Sequence, residues 1–441
     1  MSAGEFLTSF HNEQAGAHLP SIIDGHAITW AEDKALAEWA KLARSADERL
    51  SAISDSTTWE RAVKSAYVAL SAVASEESPD HLNEEVLKLA RDTVNQQLAT
   101  VIHYLPCFLF DTDAVEAIQV GDVRFIRGEN LPDQVIAACR SEPQWYAAYR
   151  ELSAASDSNK DTDWRARTVL EISRFPWVAI VSTTGLEYGM ARRRAADMAR
   201  LALAGIGLNV SPRQCAALSL AYEWCKPRQE RTLAQIPGRD VVTGVYSHDP
   251  QVRADKATLE RFLSSHAEYL SWLGQVIAEA FVSNALSQPN ALLRQAWLNS
   301  LHWYYAGCFE PSDSRATICF STALESLCEA EGVQPIVTAL ELLFGIGRET
   351  YVVRSNKHSL QSAVEHIYGF GRSESVHGGA FVVFGDYSEV RGLASELTRY
   401  ALMAFNTHLQ AYEALYQRRE AADRKNAFYR WMPSQTRKDA P

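Results

Sequence analysis

The chain has 441 residues, of which 47% are hydrophobic and 22% charged, a globular mixture long enough for two or three domains. With a mean hydropathy of -0.20 and no collagen-like or coiled-coil period, it is neither a disordered nor a fibrous sequence. Its 54 acidic residues outnumber the 43 basic ones, for a net charge of -11, so the overall field repels polyanions and any contact with nucleic acid has to be local.

The opening Met1 to Phe6 has no basic stretch leading into an apolar core, and no apolar run approaches the ~20 residues that a membrane span requires. A cytoplasmic protein without a membrane segment is expected. The first hundred residues read as helical: Ala35, Trp39, Ala40 and Leu42 fall near a 3.6 period, and Leu87, Leu89 and Leu98 belong to a second apolar stretch. Ile118 to Ile126 then alternates on both sides of Gly121-Asp122, the signal for a tight hairpin. Residues 154–164 are small and polar and read as a surface loop.

Trp177 to Val181 is a buried-strand candidate, and Met190 to Leu208 a helix carrying Arg192, Arg193 and Arg194. That triplet is open to two readings, a solvated helix face or a phosphate contact. Val241 to Tyr246 is a further strand, and the breakers around His248-Asp249-Pro250 place a domain junction at 250–257.

From Thr258 onward helical periodicity dominates. One face is traced by Leu270, Leu273, Val276, Ile277 and Ala280, the next by Leu293, Ala296, Trp297, Leu301 and Tyr304. The pattern returns at Phe320, Ala323, Leu324 and Leu327 behind a Ser312 or Asp313 cap, and at Ile336, Ala339, Leu340 and Leu343 before Gly345. Leu360, Ala363, Val364 and Ile367 repeat it up to Gly369, and Val390, Leu393, Leu397, Tyr400 and Ala404 open a long last helix. The expected fold is mainly α: an α+β region over 1–250, an all-α helical bundle over 258–420 and a basic aromatic tail over 421–441. Split at 257/258, the two parts carry net charges of -8 and -3. In the tail, Arg424, Lys425, Arg430 and Trp431 could hold RNA by charge and stacking, or the aromatics could pack back on the bundle.

The seven cysteines, none closer than nine positions to the next, suggest neither a disulfide framework nor a zinc knuckle, but buried thiols in a reducing compartment. Phosphate-binding loops, the nucleophile-elbow serine and the His-Glu-x-x-His pair are all missing from the sequence, which argues against nucleotide hydrolysis and zinc chemistry. No metal and no cofactor are expected.

One cluster breaks the apolar pattern of the bundle: Gly369-Phe370-Gly371-Arg372-Ser373-Glu374-Ser375-Val376-His377-Gly378-Gly379. Arg with His suits metal-free phosphodiester cleavage, because imidazole can deprotonate a ribose 2′-hydroxyl or protonate the leaving oxygen while guanidinium forks onto the phosphate. The internal nucleophile would restrict such a site to RNA. On a regular helix Arg372 and His377 would point about 140° apart, so they meet only at a distorted helix end or across a symmetric dimer. A structural arginine and a hydrogen-bonded histidine are the competing reading. The spacing alone is weak: Arg261 to His266 has it too, inside an amphipathic helix, and reads as structural. Arg354 and His358, at helical i, i+4 spacing before a helix, are kept as accessory candidates.

The order of Trp297 to Tyr305, then Phe320-Ser-Thr-Ala-Leu-Glu-Ser-Leu327, then Ile367 to Gly379 and a long closing helix resembles the HEPN superfamily, in particular its Apea-like branch. The resemblance covers about residues 258–417. It implies a four- or five-helix bundle that pairs two-fold, a homodimer, and a metal-independent endoribonuclease of the kind found among toxins and phage-defence effectors. On it His377 would be the general acid/base, Arg372 the phosphate contact and Ser373 the neighbour orienting one of them. Glu325 matches the branch's glutamate, in a structural or a catalytic role, while Glu374 departs from the pattern as an acid beside the phosphate site. The partners implied are an RNA substrate, tRNA among the candidates, and a trigger or antitoxin protein; residues 1–250 would sense or select. The alternative is a non-catalytic helical adaptor, or an RNA-binding protein, using the bundle as a dimer or partner surface.

Overall fold

The computed structural model describes residues 21–23, 26–28, 30–71, 79–96, 98–112, 115–138, 145–154, 163–223, 229–235, 241–247, 251–281, 290–352, 358–369, 386–416 and 427–432. In chain order the first elements are β1 (Ser21–Ile23), β2 (His26–Ile28), α1 (Trp30–Ser45), α2 (Glu48–Ile53), α3 (Ser56–Ser71) and α4 (Pro79–Gln96). There follow β3 (Ala99–Phe108), β4 (Phe110–Asp111), β5 (Ala117–Val120), β6 (Val123–Arg127), α5 (Leu131–Ala137), α6 (Trp145–Ala154), α7 (Trp164–Ser173), β7 (Trp177–Leu186) and α8 (Tyr188–Gly207). Next come α9 (Pro212–Cys215), β8 (Ser219–Leu220), β9 (Gln229–Gln235), β10 (Val241–Ser247) and β11 (Val252–Arg253). The helices α10 (Lys256–Ser265), α11 (Ala267–Ala280), α12 (Ala291–Phe309), α13 (Asp313–Cys328), α14 (Val333–Phe344), α15 (Leu360–His366) and α16 (Ser388–Tyr416) complete the series. The fold is mostly helical, and none of the described helices is long and apolar enough to cross a membrane.

Two compact units form, one from Met1–His103 with Val181–Asp197 and the other from Tyr104–Ile180 with Met198–Pro441. The division falls inside β3, β7 and α8. The second unit runs unbroken through the junction expected at 250–257, because Val252 and Arg253 of β11 pair in parallel with Phe110 and Asp111 of β4.

In the first unit α1, α3 and α4 close on Ala40, Trp59, Val63, Val86, Ala90 and Val94. Trp59 donates its Nε1–H to the Ala40 carbonyl at 2.8 Å, and the nearly buried Lys64 is held by Asp33 and Glu60, each at 2.6 Å. Leu42 and Leu89, which the sequence placed among apolar stretches, face solvent instead. On α4 the buried stripe is Val86, Ala90 and Val94, at four-residue spacing, and Leu89 lies off it.

Asp55 starts α3. Its carboxylate accepts the Thr58 N–H at 2.6 Å and pairs with Arg193 at 2.9 Å. Burial pushes its pKa up, but the Thr58 hydrogen bonds and the Arg193 charge outweigh it, and the net shift is downward. A carboxylate so held stabilises the fold above its unfolded pKa, and the contribution disappears as pH falls through the lower folded value. Asp55→Asn keeps an acceptor for the Thr58 N–H but removes the charge, and is therefore expected to lower stability at neutral pH by about 0.3–1 kcal/mol, the range of a carboxylate at a helix N-terminus or an exposed ion pair, and to make little difference at a pH below the lowered folded value. Melting curves at the two pH values test this; an equal deficit at both would show that the charge of Asp55 is irrelevant.

The sheet of the second unit has the order β5-β6-β7-β3-β8. The hairpin expected at 118–126 is β5 and β6, with Gly121 at φ +56° as the tight turn requires. A methyl group on Gly121 or on Gly274 of α11 would overlap the other's backbone, so the turn and the helix approach as closely as two glycines allow. Trp177 to Ala179 and Val181 are buried, as the strand reading required, and Trp177 donates to the Phe110 carbonyl at 2.8 Å.

In the bundle α12 packs on α13 and on α16. The expected faces of α11, α12 and α13 are buried, apart from the exposed Ala280, and Leu343 and Gly345 end α14 with Gly345 left-handed at φ +65°. Tyr400 departs from its expected stripe at 45% exposed. Trp297, fully buried, donates to the Leu402 carbonyl at 3.0 Å and meets Trp272 edge-on at 5.1 Å. Arg294, Glu279, Glu413 and Trp272 form a polar network joining α11, α12 and α16. Cys107, Cys215, Cys308 and Cys328 are buried free thiols and Cys319 is half-buried; Cys139 and Cys225 lie outside the described residues.

Candidate functional site

Arg372, Ser373 and His377, with the discordant Glu374, lie in the stretch 370–385, outside the described residues, as do Arg354, Arg424 and Lys425. What the structure places are the segments before and after that stretch. On the incoming side α15 is capped by Ser359, whose Oγ accepts the Ser362 N–H, and the buried Tyr368 donates its hydroxyl to the Ser321 carbonyl of α13 at 3.1 Å. On the outgoing side Asp386 accepts the Ser388 N–H at 3.0 Å to start α16, Tyr387 is buried, and Arg391 reaches Asp313 at 2.7 Å.

Both segments are thus tied to one helix. Asp313 and Ser321 are eight residues apart, about 12 Å along the axis. Glu325 follows Ser321 by four residues and lies on the same stripe of α13, half-buried. Tyr368 is therefore tied to the middle of α13, one helical turn before Glu325, which the sequence order alone does not show.

His358 is engaged locally. Its Nδ1 lies 3.3 Å from the Ser362 hydroxyl and its ring stacks on His366 at 5.2 Å. The connection before it is knitted by Val352 N–H to His358 carbonyl at 3.2 Å and Leu360 N–H to Thr350 carbonyl at 2.9 Å. His266 caps the end of α10, 2.9 Å from the Phe262 carbonyl and 4.6 Å from the Phe262 ring, so the Arg261 to His266 spacing ends at a helix terminus and does not lie inside the helix as expected. Of the arginine triplet, Arg193 is committed to Asp55.

The tail reading needs correcting at Trp431. Residues 427–432 form a helical turn in which Phe428 is fully buried and Trp431 is 9% exposed. Phe428 packs at 5.1 Å from Phe405, Trp431 at 5.3 Å from Tyr412, and Tyr429 donates to the Leu327 carbonyl at 3.3 Å. Burying these rings removes more apolar surface from water than leaving them exposed for a base to stack on, so Trp431 is core; Arg430 remains exposed.

A second concavity of the same unit escaped the sequence reading. A cavity of about 740 Å³ is lined by Phe110, Val252, Leu259 and Phe262, by Asn209, Ser211 and Gln214, and by Glu396, Arg399 and Tyr400, with Arg253 also lining it. Arg399 donates its Nε–H to the Leu208 carbonyl at 2.9 Å, and its guanidinium lies 5.5 Å from the Tyr400 ring centre. A smaller, apolar cavity of about 540 Å³ shares Val352, Leu397 and Tyr400 with it. The only local signal was a charged pair, Glu396 and Arg399, flanking Leu397 on an otherwise amphipathic helix. No family model matches this chain, and neither a curated protein nor a solved structure matches it.

Proposed function

We propose that the chain is a metal-independent endoribonuclease of HEPN type, acting in the cytoplasm as a toxin or phage-defence effector. The observation that carries the reading is the polar Arg372 to His377 cluster set between two apolar helices, with Tyr368 before it and Arg391 after it both tied to the helix that bears Glu325. Firm anchorage on both sides is what a site needs to hold reacting groups at fixed distance.

On this reading the His377 imidazole takes the proton from a ribose 2′-hydroxyl and the freed oxygen attacks the adjacent phosphorus. The bond to the 5′-oxygen breaks, that oxygen leaves with a proton, and the strand ends become a 2′,3′-cyclic phosphate and a 5′-hydroxyl. Arg372 forks onto the non-bridging oxygens as negative charge gathers. Ser373 orients one of the two groups. Pairing of two copies would bring two such motifs together, and residues 1–250 would sense the trigger or select the RNA.

Purified protein incubated with labelled tRNA and single-stranded RNA in EDTA is expected to cleave, leaving those two end groups. Failure to cleave either RNA, with and without added cell lysate to supply a trigger, would remove the nuclease and leave the helical adaptor.

A further inference from the structure

The cavity beside α16 holds a cation whose hydrogen-bonding capacity is only partly used. The Arg399 side chain is 16% exposed, and its Nε–H is spent on the Leu208 carbonyl. The closest carboxylate oxygen, on Glu396, lies 3.8 Å from Nη1, beyond the 2.7–2.9 Å or so of a charge-assisted hydrogen bond. Among the described residues no acceptor lies within hydrogen-bond distance of Nη1 or Nη2. The ring of Tyr400 offsets part of the charge, but a largely desolvated guanidinium with an open edge is costly unless an anion meets it.

The rest of the cavity says what that anion carries. About 740 Å³ is far more than an inorganic ion fills and falls within the range of organic-ligand pockets. The lining also includes Phe110 and Phe262, tilted rings 6.0 Å apart, and Leu259, a surface for a flat apolar body. Two arginines and one glutamate line the space.

We propose that this cavity binds a small organic anion, a carboxylate or phosphate monoester carrying a planar apolar body, with Arg399 as the anion fork and Phe110 and Phe262 as the cradle for the body. The proposal does not rest on the nuclease reading.

The test is titration of the full-length protein with 1-naphthyl phosphate, 1-naphthoate and the neutral 1-naphthol, followed by calorimetry. One or both anions are expected to bind, and the one that binds identifies the headgroup; 1-naphthol is expected to bind at least about tenfold more weakly, the loss of one charge-assisted contact. Arg399→Lys keeps the charge but not the fork, and should weaken the anion by about tenfold or more. Glu396→Gln removes the carboxylate facing the guanidinium and should tighten binding several-fold, a gain that a misfolded variant could not mimic. Absence of binding by both anions at ~1 mM, equal binding of 1-naphthol, or unchanged affinity in Arg399→Lys of wild-type melting temperature would each overturn the proposal.

Discussion

His377→Ala is expected to reduce RNA cleavage by about 10²- to 10⁴-fold, the usual contribution of a positioned acid/base, and Arg372→Ala by about 10²- to 10³-fold through lost stabilisation of the transition-state charge. Neither change should alter the far-ultraviolet circular dichroism or the melting temperature, because neither residue belongs to the apolar stripes that hold the bundle. The control is His266→Ala. That imidazole is bound to the Phe262 carbonyl and stacked on its ring, so its loss should leave cleavage intact although the Arg261 to His266 spacing is the same as that of Arg372 to His377. An RNA with a single 2′-deoxy residue at the cleavage position should survive in wild type. Full activity in either motif variant would dismiss the site, and cleavage of the deoxy substrate would dismiss the mechanism.

Trp297→Ala should be among the most destabilising single changes in the bundle. The residue is fully buried, bonds the Leu402 carbonyl at 3.0 Å and meets the Trp272 edge at 5.1 Å, so the substitution empties a large volume and orphans a bond between α12 and α16. The expected loss is about 3–5 kcal/mol, with Trp297→Phe intermediate because it keeps the apolar volume but not the donor. Urea titration followed by circular dichroism should show a lower midpoint at unchanged slope. A loss below about 1 kcal/mol for the alanine variant would mean that the bundle collapses around the gap.

Where a helix has one buried stripe, the sequence located it: Phe320, Ala323, Leu324 and Leu327 are all buried, because an amphipathic helix has one way to remove such residues from water. The same logic failed for Leu42, Leu89 and Tyr400, which stand near a stripe in sequence but outside the contact surface. Periodicity tells which residues share a face and not how wide the partner covering it is. The tail shows the opposite case. A basic, aromatic segment leaves an exposed binding surface and packing on the bundle both open, and Phe405, Tyr412 and His408 decide for packing at Phe428 and Trp431.

By itself the sequence determined the helical second half, the hairpin at Gly121-Asp122 and the one polar cluster on which the proposed chemistry rests, because helical period, turn conformation and residue type are properties of neighbours in the chain. Tertiary structure decided what those properties could not reach. It carried the second unit through residues 250–257 by pairing β11 with β4, it tied Tyr368 before the motif stretch and Arg391 after it to α13, and it walled a cavity from residues as distant as Phe110 and Arg399. Such contacts join positions separated by tens to hundreds of residues, and they form only when burying the apolar faces brings those positions together.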